Sequence, residues 1–282
     1  VSRQDRNKIF MEGGSEPGIP TRNILEDDFG WQVPVEAVPL PSEGKIYPPD
    51  SNMHGKQTVN IKAMTAKEED ILSSRALIAN GTVILELINS SIMDSDVNPN
   101  DLLSGDRNAL MIAIRITGYG PEYPVNMTCP GCRKTDKHVF NLADLPIKRL
   151  TIDPVTPGDN CFEYKLPVTK KTVHFKFLTG RDNDMIEAEA SKMAKLFPDD
   201  YVGSSVTRRL RFSVVSIDGI TDRNKIAKFV ENMPAMDSSK LRSYIKNNEP
   251  GIEMSGNLNC NSCGRVSEVS LPLGASFFWP RV

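Results

Sequence analysis

Cysteine is scarce in this chain, five in 282 residues, yet four of them stand in two matched C-x-x-C pairs. MTCPGCRK carries Cys129 and Cys132, and LNCNSCGR carries Cys260 and Cys263. A tight turn at this spacing points two sulfurs at one ion. Two such turns complete a closed tetrahedral site with metal–sulfur bonds of roughly 2.3 Å. The expectation is one structural zinc per chain held by these four thiolates, with no open position for metal-assisted catalysis. Core thiols without a metal and a disulfide are the alternatives; a redox dithiol calls for a thioredoxin-like βαβ setting that the flanking sequence lacks. Residues 133–259 separate the pairs, whereas a single zinc ribbon closes over about 15–20 residues. Loop-closure cost grows only logarithmically with length, so two knuckles joined through a folded insertion are physically reasonable. Pro130–Gly131 and Gly264 suit such turns, since glycine takes left-handed backbone conformations.

Other reactive residue types form no constellation. Cys161, at the start of a strand-like run, reads as a small buried hydrophobe. His54, His138 and His174 are scattered; His138 follows Cys132 closely enough to approach the metal, but a structural role is the default for it and for His174. SGDR at Ser104 lacks the spaced glycines and Lys–Ser/Thr ending of a phosphate loop. RRLR at Arg208 falls in a helical pattern, where a solvated face is the ordinary reading and contact with an acidic partner the sharper one. No nucleophile–base pair can be assembled locally. The chain does not read as an enzyme and calls for no small-molecule substrate.

Composition sets the outer bounds. Hydrophobic residues make up 39% and charged residues 25%, with a formal charge of -2, so bulk electrostatics give no reason to expect nucleic acid as a partner. No apolar run approaches the ~20 residues of a membrane span. The opening VSRQDRNKIFMEGG lacks the apolar stretch of a secretory signal, which points to a reducing cytoplasm, where paired cysteines serve metals or redox chemistry more often than disulfides.

The elements that must position the thiols follow from periodicity. Residues 1–38 read as an extended arm, broken by Gly13, Gly14, Pro17, Gly18, Pro20 and Pro34. Its apolar residues, notably Phe10, Phe29 and Trp31, either anchor it on a partner or belong to a floppy terminus. Thr58–Met64 alternates as a strand. Thr65 and Glu68 form a capping box that starts a helix at Ala66. Val83–Ile92 is helical after a break at Gly81, and Asp106 can cap a third helix ended by Gly118 and Gly120. FEYKLPVTKKTVHFKFL is a hairpin. Thr179 with Asp182 caps a helix bearing Met185, Ile186, Met193, Leu196 and Phe197, and further helical segments lie near 203–217, 222–232 and 238–247. Each cysteine pair is followed by an apolar strand ending in Leu–Pro, a weak internal echo. The fold class is therefore α+β: mixed helices and short antiparallel strands, with a zinc-ribbon-like four-cysteine site joining distant parts of the chain. Three regions are expected: the arm at 1–38, a strand-turn and helical region at 39–128, and a zinc-knuckle body at 129–282 that carries the 133–259 insertion.

The order of motifs resembles a known family. LPSEGKIYP, MTAKEEDIL, LLSGDRNALMIAIRITGYGPEY and CPGC come first; FEYKLP, HFKFLTG, PAMDSSKLRSYI, CNSC and LPLGASFFWP follow. From about Pro39 to Val282 this is similar to the baseplate hub, or hub assembly, proteins of T4-like contractile-tailed phages. The resemblance implies a structural or assembly role with hub, tail-tube or tape-measure proteins as neighbours, in the host cytoplasm during assembly and in the virion tail baseplate afterwards. It implies no catalytic residue. The terminal aromatics Phe277, Phe278 and Trp279 either face such a partner or cap the protein's own core. A zinc-ribbon nucleic-acid-binding protein is the alternative from another class, and a zinc or redox enzyme a third.

Overall fold

The middle of the helix spelled SGDRNALMIAIRITGY, ALMIAI, is apolar on every face, and a stretch of that kind must be covered all round. In the computed structural model, which describes residues 33–196, 205–272 and 277–278, it lies at the centre, with every residue from Ala109 to Arg115 buried. The helix is the fourth of eight described helices.

Before it come strands β1 (Val35–Pro39) and β2 (Thr58–Lys62), an antiparallel pair, and helices α1 (Ala66–Ser73), α2 (Arg75–Asn80) and α3 (Val83–Ser91). The capping box is in place: the Glu68 carboxylate accepts the Thr65 N–H at 3.0 Å. It also accepts Lys62 and Ser90, each at 2.7 Å. Gly81, at φ 72°, ends α2, a short helix that the sequence pattern did not announce. The central helix, α4, runs from Ser104 to Tyr119. Asp106 does not cap it. Its side chain is buried in the first turn, accepting bonds from Ser42 (N–H 3.0 Å, hydroxyl 2.6 Å) and from Tyr47 at 2.7 Å, and so pins the 42–47 turn to the helix. Burial pushes its pKa up, and these three donors pull it back.

After α4 the chain makes hairpin β3 (Glu122–Thr128)/β4 (Thr135–Asn141) and the short strand β5 (Ile147–Lys148). The expected hairpin is β6 (Phe162–Lys165) with β7 (Thr172–Phe175), and it gains a third strand. That strand corrects one expectation. Among the described residues of the segment near 203–217, Ser205–Ser213 form helix α6, whereas Val214–Ile217 is β8, pairing with β7. β-Branched Val214, Val215 and Ile217 suit a pleated surface better than a helix end. Between these lies α5 (Gly180–Leu196), started as expected by Asp182, which accepts the Thr179 N–H at 3.0 Å; Phe197 lies outside the described residues. Helices α7 (Arg223–Asn232) and α8 (Ala235–Asn248) follow, then β9 (Gly251–Ile252) and hairpin β10 (Ser255–Asn259)/β11 (Val266–Ser270).

The long insertion closes through its shortest strands. β5 pairs with β9, Ile147 opposite Ile252 and Lys148 opposite Gly251, and the Glu253 N–H adds a bond to the Pro146 carbonyl at 2.9 Å. Both knuckle hairpins therefore spring from one point. One large apolar core runs from Val38 to Phe278, and a separate small one surrounds Cys129, Cys260 and Leu258.

Candidate metal centre

The two cysteine turns repeat one hydrogen-bond pattern. In the first, the Cys129 N–H donates to the Lys134 carbonyl at 2.9 Å and the Arg133 N–H to the Cys129 carbonyl at 2.9 Å. In the second, the Cys260 N–H donates to the Arg265 carbonyl at 3.0 Å and the Gly264 N–H to the Cys260 carbonyl at 2.8 Å. The residue after each second cysteine takes the left-handed backbone, Gly264 at φ 68° but Arg133 at φ 62°. Gly131 does not use that freedom. Its need is space, since a Cβ there would stand 2.8 Å from Cδ of Arg265.

The turns face each other. All four sulfurs lie within 4.8 Å of one another, with Cys129 Sγ 3.8 Å from Cys263 Sγ and Cys132 Sγ 3.6 Å from Cys260 Sγ. Tetrahedral coordination with bonds of about 2.3 Å spaces sulfurs by about 3.8 Å, whereas a disulfide needs about 2.05 Å. The spacing fits an ion and excludes bridges in this arrangement. Cys129 and Cys260 are buried, Cys132 is half-buried and Cys263 exposed, over a floor of Leu258, Met127, Phe140 and Val269. Gly256 lets the hairpins touch, since a Cβ there would meet the Phe140 ring at 2.8 Å.

Charge on the sulfurs is unevenly shared. The Cys132 and Gly131 N–H groups hold the Cys129 thiol down to about 6. At Cys263 the Arg265 N–H favours the thiolate, but the three neighbouring sulfurs together with burial outweigh it and raise the thiol to about 11. Four thiolates this close repel unless a cation sits among them, so the donor set suits a soft dication and can hold a metal ion in a closed site.

Residues 38–279 match the T4 bacteriophage base plate protein family. The chain belongs to that family. No curated protein and no solved structure matches it. The matched span includes both knuckles, the central helix and the base formed by β5 and β9. Membership makes the chain a structural component of a phage baseplate, placed in the virion tail among other phage structural proteins. No described helix of this baseplate protein is long and apolar enough to cross a membrane.

Other singled-out residues fall elsewhere. His138, on β4 opposite Val125, is outside the sulfur cluster. His174 bonds Ser216 at 3.0 Å, a structural contact within the three-stranded sheet. Cys161 is half-buried rather than buried, and desolvation raises its thiol pKa. Arg208 corrects the solvated reading of RRLR: it is buried, with Glu189 at 4.0 Å. Phe277 and Phe278 correct the partner-facing reading in favour of its alternative. Each is 1% exposed, and Phe277 packs edge-on against Tyr123 with centroids 5.2 Å apart. Arg115 ties Phe277 to the end of α4, donating to the carbonyls of Phe277 (2.9 Å), Gly120 (2.9 Å) and Glu122 (3.2 Å). The lone cation in MIAIRIT was the sequence signal for that anchor, and it was missed. Phe10, Phe29, Trp31 and Trp279 lie outside the described residues.

Proposed function

We propose that this chain is a component or assembly factor of the baseplate hub in a contractile phage tail, acting through protein–protein contacts and carrying one structural zinc. Cys129, Cys132, Cys260 and Cys263 hold the metal, which fastens the hairpin before the insertion to the hairpin after it. Hub, tail-tube or tape-measure subunits are its neighbours, met first in the host cytoplasm. Its arm at 1–38, whose last residues from Val35 are held in β1, supplies contacts through Phe10, Phe29 and Trp31, while the regions at 39–128 and 129–282 supply shape. The closed geometry supports a structural metal over a catalytic one, because four protein sulfurs leave no position for water or substrate.

The observation that carries this reading is the family match across 38–279 together with four sulfurs within 4.8 Å. Elemental analysis of the untagged chain should give one zinc, with four of five thiols protected until a chelator is added. No metal and five reactive thiols would overturn the zinc assignment. Mass spectrometry of purified particles beside infected-cell lysate should find the chain in a tail substructure that survives mild dissociation with the hub. Finding it only in baseplate wedges would overturn the hub placement.

A further inference from the structure

Helices α6 and α8 lie beside a groove of about 340 Å³, near the small end of the roughly 300–1,000 Å³ range of ligand pockets. Each wall is one helical face: Val206, Arg209, Leu210 and Ser213 on α6, and Arg242, Ile245 and Lys246, with Glu249 just beyond, on α8. Leu178 joins Leu210 and Ile245 in an apolar floor, and Val206 stays 39% exposed. Arg209, Arg242 and Lys246 are exposed at its rim. None of the three has an ion-pair partner among the described residues, although Arg209 feels the half-buried Glu249 across the groove. Apolar below and cationic at the rim, such a site fits an acidic segment with a large apolar anchor. A bare phosphate backbone would leave the floor uncovered.

The chain contains a segment of that chemistry, LEDDFGW: Leu25, then Glu26, Asp27 and Asp28, then Phe29 and Trp31. Its own groove is out of reach for the aromatics. The floor stands at the N-terminal end of α4, where the Ser104 N–H donates to the Leu178 carbonyl at 2.8 Å and Gly105 packs on Pro250. The arm enters at the other end, where the Pro34 carbonyl meets Ala63 and Met64 packs on Gly118. Ser104 and Gly118 are separated by about 21 Å at 1.5 Å per residue, whereas Phe29, four residues before Val33, extends at most about 14 Å from it.

We infer that the α6–α8 groove receives the LEDDFGW segment of a second copy of this chain, its aromatics on the floor and its carboxylates on Arg209, Arg242 and Lys246. The inference rests on the reading of residues 1–38 as a partner-seeking arm. In the test, full-length chain carries a benzoylphenylalanine photo-crosslinker in place of Trp31. Light and heavy isotope-labelled batches are mixed, irradiated and mapped by mass spectrometry. Light–heavy crosslinks onto α6 or α8 are expected, falling at least tenfold in the R209E/R242E double variant and returning when Asp27→Lys and Asp28→Lys are added. Unchanged zinc content and melting would show that the variants fold. Crosslinks confined within one chain, crosslinks to other surfaces, or a yield indifferent to charge reversal would overturn the inference. A single-stranded oligonucleotide that binds the wild-type chain, displaces the crosslink and loses binding in R209E/R242E would instead assign the groove to nucleic acid. Presence in purified particles is scored separately: a crosslinking chain found in lysate but missing from particles would mark a transient assembly factor, whereas a crosslinking chain found only in baseplate wedges would sink the hub placement and leave the groove assignment standing.

Discussion

The two ends of this molecule are held together by different physics. Around α4, burial is continuous: Leu87, Ile88, Leu110, Ile114, Phe162 and Phe175 are all essentially inaccessible, and aromatic rings from distant segments meet over them. At the thiol end the buried set shrinks to Cys129, Leu258 and Cys260, with four partly buried neighbours. Its two hairpins expose alternate residues along β4 and β11, and two-stranded hairpins alone are marginal in water. The body supplies its own core, whereas the knuckle end has little core and four sulfurs placed where they can hold a metal ion.

Removing a sulfur should break that contrast most sharply. Cys260→Ser should take bound metal from one per chain to none and release much of the ~10–16 kcal/mol that apparent zinc binding contributes in small structural sites. Hydrogen exchange should show amides of β3, β4, β10 and β11 losing protection while α4 keeps its own. Simultaneous loss across α4 would mean that the two ends fold as one unit. Cys161→Ser should leave metal content unchanged, since that residue stands apart from the cluster.

Phe277→Ala attacks the other end. Deleting a buried phenylalanine costs about 3–5 kcal/mol, which for a chain of this size lowers melting by on the order of 10 °C. Zinc content should stay at one. Loss of metal in this variant would show that the terminal aromatics serve the knuckles as well as the core.

A smaller change tests the charge buried beside α1. Burial pushes the Glu68 carboxyl up, but Lys62, Ser90 and Thr65 outweigh it and hold the group down to about 2, against an ordinary 4.5. A depressed folded pKa gives stability that is complete above 4.5 and is lost as pH falls from 4.5 toward 2. Glu68→Gln should cost roughly 2 kcal/mol at neutral pH, the scale of a hydrogen bond to a charged group. It should also flatten the acid limb of the stability profile in that window. An acid limb unchanged in slope would assign that limb to other carboxylates.

Much of this contrast was legible in the residues. The capping box, the hairpin at 162–175 and the four sulfurs follow from short-range chemistry, where a residue's type and its near neighbours settle the outcome. Burial set by distant segments was harder to read. Asp106 looked like a helix cap because a carboxylate near a helix start has that local use, yet Ser42 and Tyr47, about sixty residues earlier, claim it. Val214–Ile217 continued a helical pattern until β7 offered an edge. The β5–β9 pair that closes the insertion has two residues per strand, too few for any period to show. The family resemblance spoke of the baseplate but carried no position for Phe277, which meets Tyr123 and the Arg115 guanidinium from more than 150 residues away, or for Phe278 packed against it.

The finest comparison lies between the knuckles themselves. Their hydrogen bonds match, but glycine serves a different need in each. At Gly264 the need is conformational: φ is 68° and nothing stands within 4 Å of where a Cβ would be. Gly264→Ala should therefore cost about 1–2 kcal/mol through the left-handed backbone alone, and Gly264→Asn less, since asparagine tolerates that region. At Gly131 the need is steric, and the obstacle is mainly Cδ of the flexible Arg265 side chain. Gly131→Ala should cost less than Gly264→Ala, and adding Arg265→Ala should remove most of the penalty. Arg133 already occupies the left-handed position of the first turn, so Arg133→Gly trades relief of strain against a more flexible unfolded chain and should shift stability by no more than about 0.5 kcal/mol. Chelator competition and melting on these variants measure both knuckles on one scale. Equal costs for Gly131→Ala and Gly264→Ala, or a penalty at Gly131 that survives Arg265→Ala, would show that the two turns share one constraint after all.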